Sequence, residues 1–139
     1  MISKHRRACK AGLSQLLGSS IIIMVFGVLA TGCSQHNVPV SYKETIVPLL
    51  TDHCGRCHEG DGAGTQKSGL AMDSYEQLMQ GTRLGPVIKP GDATGSTLLS
   101  LVEGRADPAI RMPLDGHNPL SPKEIKILRQ WIDEGAKDN

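Results

Sequence analysis

The stretch Cys54-Gly55-Arg56-Cys57-His58 decides what kind of fold this 139-residue chain can adopt. Two cysteines separated by two residues and followed directly by a histidine form the attachment pattern for c-type haem. The spacing has a physical reason, because two thiols can add across the two vinyl groups on one porphyrin edge while the next residue brings an imidazole to the iron. We therefore predict one covalent haem c, bound through Cys54 and Cys57, with His58 as an iron ligand.

Three other uses of the cysteine pair fit the sequence less well. A zinc site would need a second pair of ligands, yet the chain has no second CxxC and no HxxxH, and residues 53–58 alone could hardly close a tetrahedron. A thioredoxin-like redox pair expects a βαβ context, which the patterning lacks. A structural disulfide between Cys54 and Cys57 would close a very short, strained loop and stabilise little.

The residues before the motif predict a helix. Ser41 and Glu44 form a capping box, in which a hydroxyl and a carboxylate bind the free backbone N–H groups at a helix start. Side chains then recur at helical spacing and define one face: Tyr42, Ile46, Leu49, Leu50 and His53. Pro48 lacks a backbone donor, so we expect the helix to kink or restart there.

Two short helices and two loops are predicted after the motif. The composition of residues 59–69 is that of a loop, and residues 107–119 form a proline-rich loop. Between them, a weak cap at residues 73–76 begins a helix that stops at Gly81, and a second short helix runs between Ser96 and Gly104.

The last helix has the strongest start signal in the chain. Ser121 is the N-cap, Pro122 occupies the first helical position and Glu124 completes a capping box, while Gly135 ends the helix. Its predicted buried face consists of Ile125, Leu128, Trp131 and Ile132. No stretch alternates with the period of a strand, so the predicted fold is all-α.

The first 32 residues are typical of an export signal. A basic start is followed by an apolar stretch whose densest run, residues 21–30, is too short to span a bilayer comfortably. A transmembrane anchor is the alternative. The residues Leu29-Ala-Thr-Gly-Cys33 resemble a bacterial lipobox, although Ala30 stands where a leucine is favoured. The resemblance implies cleavage before Cys33 and acylation of that cysteine.

Cleavage at this point would leave a lipidated tether, residues 33–40, and a domain, residues 41–137. Several acyl chains on one residue bind membranes stably, and Ser34 points to the outer membrane if the host is Gram-negative. Four of the fifteen basic residues leave with the leader, so eleven basic residues face fourteen acidic ones in the mature chain. That charge supplies no basic face for nucleic acid.

Residues 41–136 resemble a class I cytochrome c domain, and more narrowly a planctomycete-type cytochrome c domain. The resemblance is carried by the haem motif and by phrases in the same order: Ile46-Val-Pro-Leu49, Ser68-Gly-Leu70, Met72-Asp-Ser-Tyr75, Lys89-Pro-Gly-Asp92, Ser96-Thr-Leu-Leu99, Arg111-Met-Pro113, Leu120-Ser121 and Trp131-Ile-Asp-Glu-Gly-Ala136. It implies a small helical domain wrapped around one haem, with the first and last helices crossing at Tyr42 and Trp131.

Met112 is the candidate for the second axial ligand of the iron. It lies in a loop far along the chain and matches the Met-Pro phrase of the resemblance. A thioether opposite histidine raises the potential, as an electron carrier requires, although a methionine can also simply fill a gap. His117 is the alternative ligand, while Met72 and Met79 are better explained as core residues and His53 is too close to Cys54 to reach over the haem.

Three functions remain open at this point. The first is an electron carrier with both axial positions filled, acting with redox protein partners in the cell envelope and without enzymatic activity or a small-molecule substrate. The second is a haem-based sensor of small ligands, which would leave one axial position open. The third is an accessory haem subunit of an envelope dehydrogenase.

Overall fold

The computed structural model describes residues 38–139, except for the side chain of Asp115. Within this range the regular elements are helices, and a single isolated bridge joins Thr82 and Gly85. The all-α prediction is therefore confirmed. The predicted leader, the lipobox and Cys33 lie outside the described residues. No helix in the described range has the length and apolar character needed to cross a membrane.

The first helix, residues 42–58, consists of four consecutive segments with different hydrogen-bond patterns. Two π-helical turns, Tyr42–Ile46 and Thr51–Gly55, alternate with two α-helical pieces, Val47–Leu50 and Arg56–His58. The first change falls at Pro48, as predicted, because proline cannot donate a backbone hydrogen bond.

The second helix, Ala63–Ser68, corrects the prediction that residues 59–69 form a loop. Glycine and polar residues are weak helix formers, but tertiary contacts override that preference here. Arg83 donates from both terminal nitrogens to the carbonyl groups of Gln66 and Lys67, each at 2.8 Å, and so binds carbonyls that the last turn leaves free.

The third helix is Tyr75–Gln80 and the fourth is Thr97–Val102, close to their predicted positions. The cap of the third helix is Ser74 rather than Asp73, whose carboxylate instead accepts a hydrogen bond from the backbone of Gly60. Ser96 precedes the fourth helix but does not cap it with its side chain. Its hydroxyl is already engaged, because it accepts from the Lys89 backbone N–H and donates to the Asp92 carbonyl.

The fifth helix, Pro122–Asp133, begins with the complete predicted capping box between Ser121 and Glu124. Only half of the equivalent box forms at the first helix, where the Ser41 hydroxyl accepts from the Glu44 backbone N–H at 3.2 Å. Between the fourth and fifth helices the chain contains two short 3-10 turns, Pro108–Ile110 and Leu114–Gly116.

An aromatic cluster joins the first and last helices. The rings of Tyr42 and Trp131 stack with centroids 5.5 Å apart, and Tyr75 meets Tyr42 edge-on at 5.2 Å. All three rings belong to one apolar core or pack directly against it. The expected contact between the first and last helices at Tyr42 and Trp131 is therefore confirmed.

Candidate haem site

His58 is held in the orientation that a metal ligand requires. Its side chain ends the first helix and is buried, with the residue 8% exposed. Nδ1 lies 3.0 Å from the carbonyl oxygen of Leu70, which can only accept a hydrogen bond. The proton therefore sits on Nδ1, and Nε2 carries the lone pair that can bind a metal. The His58 carbonyl accepts a hydrogen bond from the Met72 backbone N–H at 2.8 Å, so a second hydrogen bond joins His58 to the segment that contains Leu70 and Met72.

Gly64 brings the backbone of the second helix directly against the His58 ring. A Cβ added at Gly64 would lie 2.7 Å from Nε2 of His58 and 2.8 Å from the Cys57 carbonyl oxygen, closer than real Cβ contacts come. In the same helix, the buried Thr65 hydroxyl oxygen has no hydrogen-bond partner among the described residues, although buried polar groups normally have one. A His58 ring fixed through Nδ1 with Nε2 left to bind a metal, and an unpartnered hydroxyl next to Gly64 in the chain, fit a haem bound at His58.

Cys54 and Cys57 lie three residues apart on the first helix. No disulfide joins them; Cys57 is exposed, whereas Cys54 packs against the core. Burial, with smaller contributions from Cys57 and Glu59, raises the pKa of the Cys54 thiol to about 11. At neutral pH Cys54 is therefore a neutral thiol with its sulfur turned partly into the apolar interior.

Met112 lies in the segment between the fourth and fifth helices. It is half-buried, and its backbone N–H is 3.4 Å from the Leu101 carbonyl at the end of the fourth helix. Met112 lines a cavity of about 540 Å³ whose lining residues all fall between Val102 and Pro119. This volume is in the range of small-molecule and cofactor sites. His58 and the cysteines are not among the residues that line this cavity.

The other candidate ligands are placed as the sequence suggests. His117 is exposed just after the 3-10 turn Leu114–Gly116, and Met72 is a core residue with Met79 packed against the same core. His53 is the exception to a simple core assignment. Its side chain is 5% exposed, yet it makes polar contacts with two distant parts of the chain.

Those contacts raise the pKa of His53 and lower the pKa of Glu124. Burial alone would lower the pKa of His53, but the hydrogen bond to the Asn118 carbonyl and the nearby Glu124 and Asp52 carboxylates raise it above its usual value. Hydrogen bonds from Ser121, and then from His53, lower the pKa of Glu124 to about 2. Protonated His53 and ionised Glu124 therefore stabilise one another across a distance of 3.3 Å.

The domain should lose stability at both ends of the pH range for this reason. The contribution of Glu124 is present above its ordinary pKa of 4.5 and disappears as the pH falls towards 2. The contribution of His53 is present below its ordinary pKa of 6.5 and is lost as the pH rises through the raised value in the folded protein. The measurement is the urea midpoint as a function of pH for wild type, His53→Gln and Glu124→Gln. His53→Gln should flatten the alkaline side and Glu124→Gln the acid side; two variant profiles parallel to wild type would contradict the assignment.

Sequence reasoning proposed His58, the cysteines and Met112 as site residues and did not single out the residues packed around them. Gly64 lies in a stretch whose glycines were interpreted as a loop. Glycines so soon after the motif can also indicate a close approach of the backbone. The roles of Leu70 and Asn118 depend on a backbone carbonyl and on tertiary contacts, for which the sequence contains no signal.

An all-α domain in which a buried histidine, freed for metal binding, directly follows a CxxC pair defines the class of c-type cytochromes. Residues 54–116 match the family described as Planctomycete cytochrome C. This match supports a planctomycete-type cytochrome c domain over these residues, and with it a haem-based role in electron transfer and a haem c cofactor. No curated protein and no solved structure matches the chain.

Proposed function

We propose that this domain is a single-haem electron carrier of the cell envelope, passing one electron at a time between redox protein partners. The observation that carries the proposal is His58, which is buried, fixed through Nδ1 by Leu70 and packed against Gly64, where any side chain would collide with its ring. Cys54 and Cys57 would hold one haem covalently, and His58 and Met112 would be the axial ligands.

Bound haem would supply an iron that gains and loses a single electron. Two residues of the chain, Leu70 and Met112, would tune that exchange. The carbonyl of Leu70 accepts a hydrogen bond from Nδ1–H of His58, which makes the imidazole a better electron-pair donor to a metal. The thioether of Met112 would favour the reduced state and raise the potential. If His58 and Met112 both held the iron, no position would remain on it for a substrate, which would favour a carrier over an enzyme.

The alternatives differ in whether an axial position is open. A haem-based sensor of small ligands would bind carbon monoxide readily when reduced, whereas a carrier with His58 and Met112 both bound would take it up poorly at neutral pH. The test is therefore carbon monoxide titration of the reduced, purified protein. Rapid, complete uptake by the wild type would overturn the carrier proposal. An accessory subunit of a dehydrogenase would share the spectrum of a carrier, and its co-purification with a larger enzyme from native membranes would identify it.

The proposal places the domain at a membrane surface through lipid on Cys33. The chain is already bound to the domain at Val40, whose backbone N–H donates to the Glu134 carboxylate at 2.8 Å. Tyr42 donates from its backbone to the Asn139 side chain at 2.9 Å. A tether of residues 33–39 would reach about 25 Å if fully extended. Such a carrier would exchange electrons with partners close to the same membrane.

Labelled fatty acid should enter the wild-type protein and not the Cys33→Ala variant, because Cys33 is the proposed acylated residue. Cys9→Ala is the matched control: it also loses one cysteine near the start of the chain but should remain labelled. The measurement is incorporation of labelled palmitate, followed by the mass of the mature protein. A wild type that stays unlabelled and keeps its leader would instead support a transmembrane anchor.

A further inference from the structure

A junction of polar side chains connects the haem-attachment helix to the segment that follows Met112. His53, one residue before Cys54, donates from Nδ1 to the Asn118 carbonyl oxygen at 2.7 Å. Asn118 donates from its side-chain amide to the Asp52 carbonyl oxygen and to an Asp52 carboxylate oxygen, both at 3.1 Å. Three hydrogen bonds therefore connect two consecutive residues of the first helix to one residue of the loop.

The same histidine also reaches the start of the fifth helix. Its Nε2 lies 3.3 Å from the Glu124 carboxylate, and that carboxylate accepts a hydrogen bond from the Ser121 backbone N–H at 2.7 Å. His53 thus contacts both the end of the loop and the cap of the helix that follows it. With its side chain only 5% exposed, water competes little for these contacts.

Asn118 has a backbone conformation suited to its place. Its φ is +43°, in the left-handed region that asparagine tolerates better than most other residues. The conformation turns its carbonyl to His53 while its side chain reaches Asp52. Leu120, two residues further on, is buried and provides an apolar contact at the same end of the loop.

The Met112 segment, residues 112–120, depends on this junction. At its start, the Met112 backbone N–H is 3.4 Å from the Leu101 carbonyl, a long hydrogen bond. Among the groups that the structure describes, which do not include the Asp115 side chain, the hydrogen bonds from residues 113–120 to the other helices all involve Asn118. In hydrogen bonds, the segment is therefore held weakly at Met112 and more firmly at Asn118.

We propose that His53 and Asn118 are positioning residues that hold the Met112 segment against the haem-attachment helix and so keep the Met112 thioether available to the iron. The inference rests on the proposed function, in which Met112 is an axial ligand. It assigns to His53 a role other than ligation and gives Asn118 a role that no motif indicates.

The test compares full-length, haem-loaded variants by three measurements: the weak far-red absorption band of sulfur ligation, the reduction potential, and carbon monoxide uptake by the reduced protein. His53→Ala removes the contacts to Asn118 and Glu124. Asn118→Gly keeps the carbonyl and tolerates the positive φ but removes the bonds to Asp52. In each variant the band should weaken, the potential should fall, and the carbon monoxide-accessible fraction should rise roughly tenfold, since a hydrogen bond to a charged group typically accounts for such a factor.

Tyr75→Phe is the matched control for a general loss of stability. It removes one hydrogen bond, from the Tyr75 hydroxyl to the Ala136 carbonyl at 2.8 Å, without touching the Met112 segment, and should leave all three measurements at wild-type values. His53→Gln keeps a side-chain donor and should recover part of the band lost in His53→Ala.

The outcomes separate this inference from the proposed function. If the wild type shows the sulfur band while His53→Ala and Asn118→Gly match it in band, potential and carbon monoxide uptake, the positioning role is overturned and the carrier proposal stands. If Tyr75→Phe changes the three measurements as much as His53→Ala, the effect is one of stability and the inference is again overturned. A wild type without the band overturns Met112 ligation itself.

Discussion

Met112→Ala should abolish the weak far-red band of the oxidised protein and open the reduced protein to carbon monoxide. The reason is the loss of the thioether, since alanine has no side-chain atom able to bind iron. The potential should fall by on the order of 100 mV, a part of the roughly 0.8 V range that axial ligands control. Visible spectra, carbon monoxide titration and a redox titration measure the three effects.

Met79→Ala is the control for the loss of a methionine as such. Met79 packs against the core on the third helix and should affect stability without removing the band. If His117 replaces the missing ligand, Met112→Ala would stay low-spin but still lose the sulfur band, and a second substitution, His117→Ala, would then open the site. A band that persists in Met112→Ala would exclude Met112 as the ligand.

Gly64→Ala should lower the yield of correctly matured haem protein at least about tenfold. Alanine is the better helix former by about 1 kcal/mol, so in an open helix the change would be stabilising. Here the new methyl group would lie 2.7 Å from His58 Nε2 and 2.8 Å from a backbone oxygen, and neither group is the flexible end of a side chain. The steric effect acts on the nitrogen proposed to bind iron and should therefore dominate. Haem content per polypeptide is the measurement.

Lys67→Ala provides the comparison within the same helix, because this exposed side chain can be shortened without filling any space near His58. It should mature like the wild type. A Gly64→Ala protein with full haem content and an unchanged spectrum would mean that the second helix can move away from His58. That result would contradict the requirement for glycine beside the His58 ring.

Local sequence signals predicted the parts of the fold that local interactions determine. The Ser121 cap, Pro122 and Glu124 act within one turn, so the start of the fifth helix could be predicted closely. The first helix and its change at Pro48 follow in the same way. The second helix could not be predicted, because it is stabilised by Arg83 from a distant turn and by close packing on His58.

The candidate site shows the same division between local and distant interactions. Covalent attachment needs residues at a fixed spacing, so Cys54, Cys57 and His58 could be recognised directly. The tautomer of His58 depends on a carbonyl twelve residues away, and the contact between His53 and Asn118 joins positions 65 residues apart. Such contacts follow from the whole fold and have no spacing of their own in the sequence.

The most direct test of the account is whether haem stays with the polypeptide after the fold is destroyed. The protein is produced with a haem-attachment system, denatured and extracted with acidified acetone, and the haem in the protein fraction is counted per chain. Two thioether bonds through Cys54 and Cys57 predict one haem per chain in that fraction, a weaker linkage when either cysteine is replaced by alanine, and failed maturation for His58→Ala. Colour that leaves with the solvent from the wild-type protein would contradict the covalent cytochrome assignment on which the proposed function rests.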